Sequence, residues 1–260
     1  VRAMRNGETK YGPAGVMLEL RTAIANHLAS HGITAAPDDI VVTPGSKPIL
    51  LYAALALLDK GDEALIPDPA YPIYDSVVRF AGAQPVTYRL DAASNFAPDI
   101  DAIAASITPR TRVLVLNSPQ NPTGGVIDAG RLAALAQLAE ANDLSVIVDE
   151  IYRPFNYGSS PVPSILTLPG MRERSILVDG FSKAYAMTGW RLGFGLIPTP
   201  LAPRFSLLAL NDHACVPAFV QRAGIAALEG TQEPLHAMIA EFAARRQIIA
   251  ERLAAIPGVR

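Results

Sequence analysis

Three short and almost continuously apolar runs lie in the middle of this chain, and they constrain its fold most. They occupy residues 112–117 (RVLVLN), 144–149 (LSVIVD) and 175–179 (SILVD). Runs of β-branched residues and leucine are typical of strands in a parallel sheet that is covered on both faces. Helical patterns separate these runs. The alternation of strand and helix therefore predicts an α/β fold, with a mostly parallel sheet and helices on both faces.

Weaker patterns extend this alternation over most of the chain. Further strands are predicted at 39–43, 64–67, 84–88 and 192–197, and helices at 14–31, 46–58, 72–81, 99–107, 128–141 and 233–256. No linker long enough to separate two domains is expected before about residue 230. The chain has no Gly-x-Gly-x-x-Gly segment, which leaves a dinucleotide-binding Rossmann domain without support.

Composition excludes several classes of function. The chain has 22 basic and 24 acidic residues, a net charge of -2, and its basic residues are dispersed, so neither nucleic acid nor an acidic membrane surface is an expected partner. A single cysteine, Cys215, excludes a disulfide framework and fits the cytoplasm. The four histidines lack the spacing of metal ligands, and the apolar stretches are too short to span a bilayer.

Polar residues follow the strands at their carboxyl ends, where open α/β sheets bind ligands. The segments are 43–47 (TPGSK), 117–124 (NSPQNPTG), 149–152 (DEIY) and 179–183 (DGFSK). Gly45, Ser46 and Lys47 open a helix, and this turn is either a phosphate seat or a plain helix cap. Asp149 ends a buried strand, so its carboxylate needs a cationic partner. The sequence thus predicts one crevice that holds a carboxylate, a phenol, an amide and an amine.

These segments resemble motifs of a known family. Residues 179–193 (DGFSKAYAMTGWRLG) resemble the lysine motif of the class I/II aminotransferases, the aspartate aminotransferase family. Residues 117–124 and 149–152 are similar to its Asn-Pro-x-Gly turn and its Asp-Glu-x-Tyr segment. Residues 10–15 (KYGPAG) are similar to the segment that leads into its large domain. The resemblance covers essentially the whole chain, with the motifs in the family's order.

The resemblance implies the fold of the pyridoxal-phosphate (PLP) dependent transferases of fold type I. Residues 1–230 would form a PLP-binding large domain of three layers. Residues 231–260 would form a long helix leading into a small C-terminal domain that is largely absent. The chain does not begin with methionine, and members of the family usually extend further at both ends, so we expect it to lack part of the substrate half of the site.

The resemblance also implies a role for each residue of the crevice. Lys183 would carry PLP as a Schiff base and act as the general base. Asp149 would pair with the pyridinium nitrogen, and Tyr152 and Asn121 would hydrogen-bond the phenolic oxygen.

The phosphate and the ring of PLP would be held by other residues. Arg191 would clamp the phosphate, with further contacts from Gly45, Ser46 and Lys47. Tyr71 would stack on the ring. Tyr11 would reach the phosphate in a neighbouring subunit, which implies a homodimer with shared active sites. Where many members carry serine three residues before the lysine, this chain has Gly180, so weaker phosphate binding is expected.

The function implied is transfer of an amino group from an amino acid to a 2-oxo acid. Two alternatives stay open at this point. A carbon–sulfur β-lyase of the same fold would use the same lysine and the same electron-accepting ring. A non-catalytic PLP-binding module, or an inactive remnant, would bind the cofactor without turnover.

Overall fold

A sheet of seven strands runs through the part of the chain that the computed structural model describes, which is residues 1–11, 16–158 and 160–259. Its strands are β1 (Ile40–Thr43), β2 (Glu63–Asp68), β3 (Gln84–Arg89), β4 (Thr111–Asn117), β5 (Ser145–Asp149), β6 (Ser175–Gly180) and β7 (Gly193–Leu196). Their order in space is β1-β7-β6-β5-β4-β2-β3. Strands β2 to β6 pair in parallel, whereas β7 is antiparallel to both of its neighbours. The mostly parallel sheet predicted from the sequence is confirmed.

Helices connect the strands and cover both faces of the sheet. They are α1 (Arg2–Arg5), α2 (Leu18–Ser30), α3 (Lys47–Leu57), α4 (Ile73–Phe80), α5 (Ile100–Ala105), α6 (Ala129–Ala141), α7 (Phe181–Ala184), α8 (Ala202–His213), α9 (Ala218–Glu229) and α10 (Glu233–Ala254). The predicted helices are present with ends shifted by a few residues. For the helix predicted at 14–31, residues 14 and 15 lie outside the described ranges.

Helices α8 and α9 are absent from the sequence predictions. In α8 the apolar residues point in several directions: Phe205 and Ala209 are buried, while Leu207 and Leu210 are exposed. Apolar side chains of α8 therefore lie on its exposed side as well as on its buried side.

Two hydrophobic cores lie on opposite faces of the sheet. Successive residues of one strand alternate between them, so that Leu114 packs against α2 and α6 and its neighbour Val115 belongs to the core beneath α3 and α4. This arrangement of helix, sheet and helix confirms the three-layer α/β fold. Helix α10 buries none of its side chains, and the division into a large domain and a following small domain stays a prediction.

The strand register brings the predicted motifs to one edge of the sheet. Asn117 at the end of β4 pairs with Asp149 at the end of β5, which pairs with Val178 near the end of β6. Because β7 runs the other way, its first residue, Gly193, lies at this edge, paired with Thr43 of β1. The segment just before β7 is thereby placed beside the turn that opens α3.

Gly193 allows β7 and the turn before α3 to approach closely. A Cβ atom on Gly193 would lie 2.4 Å from the carbonyl carbon of Gly45 and 2.4 Å from the amide nitrogen of Ser46. Both are backbone atoms, so neither can swing away as a flexible side chain would.

We expect Gly193→Ala to lower the free energy of unfolding by about 1–3 kcal/mol, because the added methyl group must push β7 away from the turn before α3. Urea or thermal unfolding measures this loss. Gly189→Ala is the matched control, since nothing lies within 4 Å of the Cβ position of Gly189. Equal stability of the two variants would contradict the close packing described here.

Candidate active site

A cavity of about 210 Å³ opens at the carboxyl edge of the sheet. Its wall contains most of the residues predicted for the site, namely Ser46, Lys47, Tyr71, Asn121, Asp149, Tyr152, Lys183 and Arg191. Six further residues complete the wall: Leu50, Tyr74, Asn117, Ile151, Ser182 and Thr188. Residues from five separate segments of the chain therefore converge, as the strand-end argument predicts.

Lys183 enters this cleft from α7, a short helix that follows β6 without a linker. Its Nζ atom lies 5.3 Å from the centroid of the Tyr152 ring. This distance lies within the range of a cation–π contact. The amine and the phenol thus share one side of the cleft.

Asp149 lies at the base of the cleft, at the end of the central strand, with 6% of its surface exposed. Its Oδ2 accepts a hydrogen bond from the Tyr74 hydroxyl at 2.9 Å, and its Oδ1 accepts one from the Ile151 N–H at 3.2 Å. Burial raises the pKa of Asp149 to about 6, while these two donors and the nearby Lys183 amine act to lower it. No ion pair among the described residues involves Asp149. This buried carboxyl group is therefore suited to a cation brought by a ligand.

The turn after β4 is tied to the neighbouring strand through Asn117. The Nδ2 atom of Asn117 donates to the Asp149 carbonyl at 2.9 Å, and its Oδ1 accepts from the Asn121 N–H at 2.8 Å. Gln120 fixes the same turn from outside by donating to the Pro69 carbonyl at 2.7 Å. Asn121 consequently faces the cleft from a rigid turn. Sequence reasoning overlooked the structural part played by Asn117, although an amide at the end of a buried strand was a usable signal.

The far end of the cleft is built for an anion. Gly45 has a φ of +85°, and a Cβ atom there would lie 2.3 Å from Nη2 of Arg191. The Arg191 guanidinium donates from Nη1 to the Thr188 carbonyl at 2.8 Å and from Nη2 to the Pro44 carbonyl at 3.2 Å. It is thereby held against the amino-terminal end of α3, next to Lys47. A cation beside the free N–H groups of a helix start favours a phosphate.

Ser46 precedes the first residue of α3, where the sequence left open a phosphate seat or a plain cap. The Ser46 side chain makes no capping hydrogen bond with the helix. Its hydroxyl is therefore available to the cleft, which favours the first of these two interpretations.

Gly180, where the resemblance leads us to expect serine, lies in a closely packed part of the structure. A Cβ atom on Gly180 would lie 3.0 Å from the Gly193 Cα and 3.2 Å from the Leu192 carbonyl oxygen. The close approach of β7 leaves little room for a side chain at this position. Glycine at this position therefore allows β6 and β7 to pack closely, and it provides no side-chain hydroxyl.

Two predicted aromatic residues differ in where they lie. Tyr71 follows β2 in the wall of the cleft, with its ring centroid 6.1 Å from that of Tyr74 and 5.6 Å from the Lys47 Nζ. Tyr11 is 90% exposed and lies outside the cleft of its own chain. Its predicted role concerns a neighbouring subunit and stays a prediction. Residues 12–15 of its motif lie outside the described ranges.

Asp179 ends the strand next to Asp149 but faces the other side of the sheet. It lines a separate cavity of about 640 Å³ with Arg153, among residues of α2 and α10. Burial raises the pKa of Asp179 to about 7, against the opposing effects of the Gly180 N–H and the Arg153 guanidinium.

Arg153 also forms an ion pair with Glu150, which accepts a hydrogen bond from Ser164 at 2.6 Å. Glu150 is thus held by Arg153 and Ser164 and is not part of the cleft wall.

The cleft matches the charge pattern of PLP. Its wall combines the anion seat at the start of α3, a buried carboxyl group that forms no ion pair, an amine and three tyrosines. PLP carries a phosphate, a basic ring nitrogen, an aldehyde and an aromatic ring, so the residues present fit this group.

Among the described residues, no group of three or more His, Cys, Asp or Glu side chains could hold a metal ion. Nor does any helix in the described ranges have the length and apolar character needed to cross a membrane.

Comparison with known proteins places this geometry in a family. The family model "Aminotransferase class I and II" matches residues 2–260. An aspartate aminotransferase of Musicola paradisiaca is 40% identical over 100% of this chain, and the match covers 65% of that protein. The chain therefore spans about two thirds of the length of the curated relatives that it matches.

Solved structures agree with this assignment. The aromatic aminotransferase of Pyrococcus horikoshii is 38% identical and superposes with a TM-score of 0.95, over 97% of this chain and 69% of that one. The N-succinyldiaminopimelate aminotransferase of Mycobacterium tuberculosis is 34% identical with a TM-score of 0.94, over 98% and 67% of the two chains. By the match along its whole length and by its fold, this chain belongs to the class I and II aminotransferase family.

Proposed function

We propose that this protein is a PLP-dependent aminotransferase that moves an amino group from an amino acid to a 2-oxo acid. Class I and II aminotransferases use PLP. The observation that best supports the proposal is the convergence of Lys183, Asp149 and Arg191 on one cleft of about 210 Å³. An amine, a buried acid and an anion clamp are the groups that this chemistry requires of the protein.

Each end of the cleft would hold a different part of the cofactor. Arg191 would bind the phosphate together with Gly45, Ser46 and Lys47 at the start of α3. Asp149 would pair with the ring nitrogen at the opposite end. When bound, PLP supplies an aldehyde that condenses with amines and a ring that accepts electrons from the reacting carbon.

The middle of the cleft would orient the ring and move the proton. Tyr71 would stack on the ring, and Asn121 and Tyr152 would hydrogen-bond its phenolic oxygen. Lys183 would take the proton from the substrate α-carbon at its Nζ and return it during the transfer. Its short tether to β6 keeps the amine within the cleft, on the side of Tyr152.

The substrate and the assembly are part of the same proposal. The relatives named above act on aspartate, aromatic amino acids and N-succinyldiaminopimelate, as their names state, so the donor must be found by experiment. We propose a cytoplasmic homodimer in which the exposed Tyr11 reaches the partner's phosphate site. In this proposal residues 1–230 form the large domain, and 231–260 lead into a small domain.

We expect Lys183→Ala to abolish the visible absorbance of the Schiff base between the protein and PLP, measured before any amino acid is added, and to lower the transamination rate roughly 10²–10⁴-fold, because the amine both bonds to the cofactor and moves the proton. Lys60→Ala, at an exposed position, is the control and should behave as the wild type. Normal turnover by the Lys183 variant would refute its assignment.

We expect Asp149→Asn to reduce the rate roughly 10²-fold or more, since the amide keeps the shape but removes the charge that keeps the ring nitrogen protonated. Steady-state kinetics and a PLP-binding titration measure the effect. Asp179→Asn is the matched control, because Asp179 also ends a central strand but faces the opposite cavity. A comparable loss in both variants would indicate a general effect of removing strand-end acids.

We expect a screen of amino donors to give product only when 2-oxoglutarate or pyruvate is present as acceptor. Transamination consumes the oxo acid mole for mole, whereas a β-lyase needs none. Release of pyruvate from a cysteine conjugate in the absence of any oxo acid would favour elimination, and PLP binding without turnover would favour a non-catalytic module.

A further inference from the structure

Tyr74 makes a contact with the site that none of the sequence motifs includes. It lies on α4 and is 1% exposed, with its ring inside the core between this helix and the sheet. Its hydroxyl reaches the base of the cleft and donates to Oδ2 of Asp149 at 2.9 Å. The two residues are 75 positions apart in the chain.

The phenol is a permanent donor in this position. Burial, and then the neighbouring Asp149 carboxylate, raise the pKa of Tyr74 well above its ordinary value, so the hydroxyl is protonated at neutral pH and can donate. A hydrogen bond to a charged acceptor inside a protein is stronger than one between neutral groups. The contact therefore favours the ionised form of Asp149 over the protonated form.

The other groups around Asp149 do not duplicate this contact. From its own strand end, the Ile151 N–H binds Oδ1, and Tyr152 lies in the cleft without a hydrogen bond to the carboxyl. The Lys183 amine on α7 affects Asp149 through its charge and not through a hydrogen bond. Asp179 on β6 carries a like charge and lies on the opposite face of the sheet. Among the described residues, Tyr74 is the one side chain that donates a hydrogen bond to Asp149.

We propose that Tyr74 is a positioning residue, whose hydroxyl keeps the Asp149 carboxylate ionised and turned into the cleft and thereby sets how strongly the site holds a protonated ring nitrogen. The proposal rests on the proposed function, because the ring nitrogen is that of PLP. Helix α4 would thereby take part in cofactor binding. The Tyr74 hydroxyl would act on the cofactor only through Asp149.

The variant Tyr74→Phe keeps the ring and removes only the donor. In the cofactor-free protein, ¹³C NMR of labelled aspartate should show the pKa of Asp149 rising by about one unit from its value near 6. Asp149→Asn identifies the resonance. At pH 6.5 the ionised fraction would then fall from about three quarters to about one quarter, which weakens PLP binding about threefold. The difference in PLP affinity between Tyr74→Phe and the wild type should narrow as the pH rises above 8, because Asp149 is then ionised in both proteins.

Tyr88→Phe is the matched control. Tyr88 is also a buried tyrosine, 4% exposed, on β3, and its hydroxyl donates to the Val115 carbonyl at 2.7 Å instead of to a carboxylate. The Tyr88→Phe substitution also removes one buried hydrogen bond. This substitution should leave the titration of Asp149 and the pH dependence of PLP binding unchanged.

The outcomes separate this inference from the function on which it rests. An Asp149 pKa that is the same in Tyr74→Phe and wild type, or that shifts equally in Tyr88→Phe, overturns the role of Tyr74. A wild-type protein that binds no PLP contradicts the proposed function, and the carboxyl titration still decides whether Tyr74 controls Asp149.

Discussion

The carboxylate of Asp149, buried at the end of the central strand, is the group on which the rest of the site depends. Burying a charge without a counter-ion is costly, and here that cost is only partly offset by the Tyr74 hydroxyl and the Ile151 N–H. A ligand with a protonated nitrogen next to Asp149 would offset the rest of this cost. The same burial that destabilises the charge thus favours a cationic ligand at this point.

The reversed direction of β7 is the second constraint. Parallel strands alone would place only their carboxyl ends at the cleft, but an antiparallel strand places there the segment that precedes it. Arg191 therefore reaches the start of α3, held by the Pro44 and Thr188 carbonyls. Glycine at 193 and at 45 makes the approach possible, since a Cβ atom at either position would overlap its neighbour. The anion site that we propose would thus be a consequence of sheet topology and close backbone packing.

Much of this could be predicted from the sequence, and the exceptions have physical reasons. Strands such as 112–117 are buried on both faces, so their composition identifies them, and register then places Asn117 beside Asp149. Helix α8 exposes Leu207 and Leu210 while it buries Phe205 and Ala209, so its composition alone does not indicate which side is buried. Tyr74 was missed because its partner lies 75 residues away on β5, and a tyrosine in an amphipathic helix resembles an ordinary core residue. The capping state of Ser46 depends on side-chain geometry that no local pattern encodes.

Adjacent strand ends show how one sheet can separate a functional acid from a structural one. Asp149 and Asp179 end neighbouring strands, yet the alternation of side chains along each strand points them to opposite faces. Burial raises the pKa of both. Asp149 meets a permanent phenolic donor and a cleft with a free amine, whereas Asp179 meets Arg153, which is itself paired with Glu150. Neither acid forms an ion pair among the described residues, and burial raises the pKa of Asp179 at least as far as that of Asp149, so the two differ in what faces the carboxyl group. A difference of one residue in register would exchange these surroundings, so the pleat of two strands decides which carboxyl group faces the cleft that contains Lys183 and Arg191.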